Sequence, residues 1–160
     1  MKPKAKANTK QRRRLAARLA GQTVVWLVSG RGMDYAHHQL NLAPQNEQTP
    51  VEWSYVFAFY TPQQARALAV SILAGFLAEQ ELDPSAPRQD VAADRRQVHK
   101  LVRKFTLPEV RELEIEAGDL VRRFMDIILR FTGELLQRET IPGATCEDIF
   151  EQLSKSVLTD

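Results

Sequence analysis

The chain has 160 residues, with 22 Lys and Arg against 20 Asp and Glu, a formal net charge of +2, and 44% hydrophobic residues. Those proportions exclude a globally disordered or collagen-like chain and suit one folded domain with a core of its own. The single cysteine, Cys146, excludes an internal disulfide, and no Cys/His spacing matches a zinc site.

Residues 1–18 carry Lys2, Lys4, Lys6, Lys10, Arg12, Arg13, Arg14 and Arg18 and no acid, while residues 19–160 carry a net charge of −6. A cationic leading segment is therefore joined to an anionic body. A dense run of cations gains free energy by neutralising phosphates and releasing their counterions. The segment reads as a basic arm, residues 1–21, which includes a short helix. Asn8 or Thr9 caps that helix, Leu15 and Leu19 dock it, and Gly21 closes it. Its basic and apolar character also resembles a transit peptide, so mitochondrial import stands beside a cytoplasmic location as an expectation. A secretory signal is not expected, because the compact apolar part, Val24–Val28, is too short.

Thr23–Val28, TVVWLV, is β-branched and aromatic and predicts a buried strand. Ser29-Gly30-Arg31-Gly32 follows as a turn in which Arg31 can grip a phosphate, although the Lys-Ser/Thr of a phosphate-binding loop is missing. His37 and His38 lie in the long connection up to Pro50. They would need Asp34, Glu47 or His99 nearby to hold a metal, and surface histidines are the simpler reading. Tyr35–Leu42 is a third candidate strand. From Trp53 to Tyr60, four aromatics alternate with their neighbours, which predicts a strand paired with the first. Trp53 and Tyr55 could stack bases if exposed, but packing under a helix is the simpler expectation.

Thr61-Pro62 starts a helix, with a capping hydroxyl and a proline at the first helical position. Ala65, Leu68, Ala69, Ile72, Leu73, Phe76 and Leu77 follow at helical spacing, and the opposite face is small and mostly apolar. A helix apolar nearly all round is expected at the centre of the core. Residues 22–83 thus form an expected α/β unit, and residues 84–89 a proline-containing linker. A helical portion over 90–160 comes next.

In that portion Asp90 caps a helix whose inner face is Val91, Val98, Leu101, Val102 and Phe105. Its outer face carries Arg96, Lys100, Arg103 and Lys104. Thr106, Pro108 and Glu109 form a capping-box pattern for a long helix over 108–138. Its apolar residues from Val110 to Phe131 alternate spacings of three and four, a seam for the chain's own core or for another protein subunit. Gly118 and Gly133 are its expected bend points. Thr145 caps a last helix.

The fold expected is α+β and helix-dominated: a small β-unit packed on a buried helix, then a helical half with one long helix. No arrangement of Ser, Cys, His or carboxylates specifies catalysis; Glu112, Glu114 and Glu116 read as a solvated helix face. No cofactor and no membrane partner are expected. The function expected is a non-catalytic, nucleic-acid-associated subunit of a larger assembly, binding RNA or DNA with little sequence preference. The candidate phosphate-binding residues are Lys10, Arg12, Arg13, Arg14, Arg18, Arg31, Arg96, Lys100, Arg103 and Lys104. Two alternatives share the sequence: a scaffold subunit whose arm docks on an acidic protein, and a small enzyme using His37 or His38.

Overall fold

The computed structural model of the chain describes residues 3–29, 39–41, 51–52, 61–85 and 91–159, with side chains over 10–29, 61–85 and 95–156. The described residues are helix-dominated. In chain order they comprise α1 (Pro3–Ser29), β1 (Gln39–Asn41), β2 (Val51–Glu52), α2 (Pro62–Leu82), α3 (Val91–Phe105), α4 (Val110–Arg123), α5 (Met125–Arg138), β3 (Thr140–Pro142) and α6 (Gly143–Thr159).

The first expected strand does not exist. Thr23–Val28 continues α1, so Gly21 lies inside a 27-residue helix instead of ending one, and Asn8 and Thr9 are within it. Burial decides this segment. Ala16, Ala17, Leu19, Ala20, Val24, Val25 and Trp26 are all buried, so the helix is covered around much of its circumference. A β-branched run has only a weak intrinsic preference, and tertiary packing overrides it. Among the described residues α2 is covered by α1, α3 and α4, and not by an expected strand at 23–28. The strand expected over Trp53–Tyr60 lies outside the described residues, as do Trp53 and Tyr55. Of Tyr35–Leu42, residues 39–41 are β1.

What sheet there is has three short antiparallel strands in the order β2-β1-β3. Leu40 stands opposite both Val51 and Ile141. β3 was not expected from the sequence. It brings residues 140–142 back to β1, and its Ile141 is fully buried.

The centre of the core is α2, as its composition implies. Thr61 Oγ1 accepts from the Gln64 N–H at 3.2 Å, and Gln64 Oε1 accepts from the Thr61 N–H at 3.0 Å. With Pro62 in the first turn, this is a complete capping box. α2 packs against α1, α3 and α4, and α1 packs also on α5. Ser71, buried inside α2, donates its hydroxyl back to the Ala67 carbonyl at 2.7 Å, which satisfies it without a partner from another helix.

α1 and α2 run antiparallel and very close. A Cβ built on Gly21 would lie 2.6 Å from Ala78 Cβ and 3.3 Å from Gly75 Cα. Only glycine permits that approach.

The long helix expected over 108–138 is two helices joined at Phe124, where the backbone turns to φ −108°, ψ 17°. Hydrogen bonds continue through the joint, from Phe124 N–H to Leu120 O and from Ile128 N–H to Phe124 O, both at 2.9 Å. The joint is a kink in one hydrogen-bonded ladder, and it falls at neither Gly118 nor Gly133. The apolar seam completes the core: Leu113, Ala117, Ile127 and Phe131 are buried. One continuous cluster of buried side chains runs from Ala16 in α1 to Ile149 in α6. No helix among the described residues is long and apolar enough to cross a membrane.

Candidate nucleic-acid interface

Two cationic stretches were expected to bind phosphate, and the fold treats them differently. On α1, three of the four arginines are turned onto carboxylates of the same chain. Arg14 holds Asp83, at the end of α2, through Nε and a terminal nitrogen, both at 2.6 Å. One turn further on, Arg18 holds Glu79 in the same way, at 2.7 and 2.6 Å. Both pairs are largely shielded from water, and the Glu79 side chain is only 4% exposed. Arg12 reaches α5, donating to the Leu136 carbonyl at 3.1 Å and to Glu139 at 2.8 Å.

These arginines therefore act as clamps that hold α1 to α2 and α5. Leu15 packs on the core, so the segment is no detached arm. Among the α1 cations whose side chains are described, Lys10 and Arg13 are exposed. Both flank Arg12, whose side chain reaches α5.

The electrostatics of Asp83 follow from this contact. A hydrogen bond from the Ser85 hydroxyl, joined by that of Arg14, lowers its carboxyl from 3.8 to about 2. Each stabilises the charged form by donating to it.

The second stretch lies at the surface. α3 buries Val98 and Leu101 against its neighbours, and Val102 and Phe105 pack partly into the core. Helical spacing then turns Arg96, Lys100, Arg103 and Lys104 to the opposite side, and all four are exposed. From Arg95 to Pro108 the sequence has no acid. Arg95, at the margin, is held by Glu114 of α4 at 3.2 Å. Lys104 Nζ lies 5.6 Å from the centre of the Phe105 ring. Arg96 to Lys104 covers about 12 Å of helix. The result is a short cationic ridge on a helix anchored by its other face. One member was not anticipated: His99, three residues after Arg96 and four before Arg103, is exposed on the same side. Its spacing alone could have placed it there.

Other candidates contribute less. Arg31, His37, His38, Asp34 and Glu47 lie outside the described residues. Among the described residues no three His, Cys, Asp or Glu side chains group as metal ligands. Cys146 is buried, its thiol pushed up to about 12 by burial and by the charge of Glu147. It donates weakly to the Ile141 carbonyl at 3.8 Å, and such a thiol is a poor nucleophile. Glu116 is held by Arg66 and Glu114 by Arg95, leaving Glu112 on the solvated face.

No protein-family model matches this chain, and no curated protein matches it. What the fold and ridge define is a class: a helical protein with an exposed cationic helix face.

Proposed function

We propose that the protein is a non-catalytic, nucleic-acid-associated subunit that grips phosphate backbone through α3. One observation carries this reading. Arg96, Lys100, Arg103 and Lys104 share one exposed face of a helix whose opposite face is buried. Because the helix is already folded and anchored, binding does not bear the cost of ordering it. Lys10 and Arg13, exposed on α1, are a second, smaller source of positive charge. Cations on a packed helix meet phosphates without reading base edges, so binding is tolerant of sequence, to RNA or DNA alike. Attachment to other protein subunits belongs to the same proposal.

Four phosphate contacts imply a slope of log affinity on log salt of about −3.6 for duplex DNA. Fluorescence anisotropy with a labelled 20-base-pair duplex at several salt concentrations measures it. The combined variant Arg96→Gln, Lys100→Gln, Arg103→Gln is expected to remain folded, since these are surface positions. It should lose most of the affinity and bring the slope to about −1. An unchanged slope and affinity in that variant would overturn the assignment to α3.

A further inference from the structure

We infer that His99 is a fifth phosphate-contacting residue of the α3 ridge, engaged as its imidazolium, so that binding a nucleic-acid backbone takes up a proton. The inference deepens the reading above and rests on it. Its ground is placement. His99 is exposed and adjoins Lys100 in sequence, and Arg96 and Arg103 are its neighbours one turn to either side. Residues three and four apart on a helix stand about 5–6 Å from one another. A phosphate run laid along Arg96, Lys100 and Arg103 therefore passes the imidazole. Histidine is the side chain whose charge changes between about pH 5 and 8, and a phosphate brought against it favours the charged form.

The elements packed against α3 are α2 and α4. On α2, Arg66 is held by Glu116, Glu79 by Arg18 and Asp83 by Arg14, and Glu81 is exposed to solvent. On α4, Glu114 is held by Arg95 at the ridge margin. Asp119 pairs with Arg122 within α4 itself, and Glu109, Arg111, Glu112 and Arg123 are exposed. On α3 itself, Arg95 and Arg96 come four and three residues before the imidazole, Lys100 follows it directly and Arg103 comes four residues after it. The carboxylates of the two packed helices thus mostly have arginine partners.

The test measures duplex affinity from pH 5.5 to 8.5 at constant ionic strength, for the full chain, for His99→Gln and for the triple ridge variant. The full chain is expected to bind up to about tenfold more tightly at pH 6 than at pH 8, because a charged imidazole attracts phosphate and a neutral one does not. His99→Gln should lose the rise in affinity toward pH 6 and bind with a nearly flat profile between pH 6 and pH 8. Calorimetry in two buffers of different ionisation enthalpy should show proton uptake near pH 7 that this variant lacks. If His99→Gln retains the full pH dependence, His99 is not the proton acceptor and the inference fails while the ridge stands. If the triple variant binds as well as the unaltered chain, or the unaltered chain does not bind, the ridge reading fails and takes this one with it.

Discussion

Thr106 adopts φ 53°, in the left-handed region, and α3 ends on it. The Leu107 N–H donates to the Val102 carbonyl at 3.1 Å, spanning the turn, while Val102 and Leu107 both pack on the core. This is the hydrogen bond and apolar contact of a Schellman ending, with Thr106 in the position that glycine normally fills. The pattern Thr106-Pro108-Glu109 suggested a capping box for the next helix. In the structure Glu109 is the N-cap residue of α4, and no side chain caps it. A β-branched residue held at positive φ is strained by about 1–2 kcal/mol. Thr106→Gly should therefore raise stability by about 1 kcal/mol, after the extra entropy that glycine gives the unfolded chain. Denaturant midpoints of Thr106→Gly and Thr106→Ala separate the cause, because alanine retains the Cβ and should gain little. Glu139 is the other non-glycine residue at positive φ among those described, at 65°. Its carboxylate meets Arg12, which explains why a charged residue occupies that turn.

At the scale of elements, what the sequence revealed depended on whether the deciding contacts were local. α2 was legible because its cap, its proline and its apolar pattern all lie within its own residues. The two-sided character of α3 was legible for the same reason. α1 was not, because its helical state over residues 23–28 depends on burial by α2 and α5. Even so, Arg14 and Arg18 stand four apart on one helix, and Glu79 and Asp83 stand four apart on another. Two such pairs of opposite sign are the signature of an antiparallel clamp, and they could have signalled that these arginines were committed. The kink at Phe124 had no local sign, since neither a proline nor a glycine marks it.

The α1–α2 contact also makes a prediction. A Cβ on Gly75 would collide with the Gln22 side chain and lie 2.7 Å from the Arg18 carbonyl oxygen, which is backbone and cannot step aside. Gly75→Ala should cost about 2 kcal/mol through overpacking. Gly133 is the matched control: a Cβ there meets nothing within 4 Å, and it lies inside α5. Gly133→Ala should be stabilising by about 0.8 kcal/mol from helix propensity alone. Chemical denaturation of both variants checks the pair of opposite signs.

Across the whole molecule, the formal charge says little about where charge is available. The sequence places eight cations in its first eighteen residues, yet three arginines among them are spent holding α1 to α2 and α5, and the exposed ridge is on α3. Composition could not distinguish these, since both clamps bring together residues more than sixty positions apart. The end of α2 is sensitive to acid through Asp83, whose charge is held first by the Ser85 hydroxyl and then by Arg14 of α1. Asp83 has a carboxyl near 2 in the folded chain against an ordinary 3.8. A carboxyl lowered on folding contributes stability that is complete above its unfolded value and is lost as the pH falls through its folded one. The contribution of Asp83 should therefore be intact at pH 6, decline below about pH 4, and be gone below about pH 2. Asp83→Asn removes that dependence. Stability measured by urea unfolding should differ between the variant and the unaltered chain at pH 6, and the difference should shrink steadily between pH 4 and pH 2. A difference that stayed constant over that interval would mean that Asp83 supports the α1–α2 contact by packing alone and not by its charge.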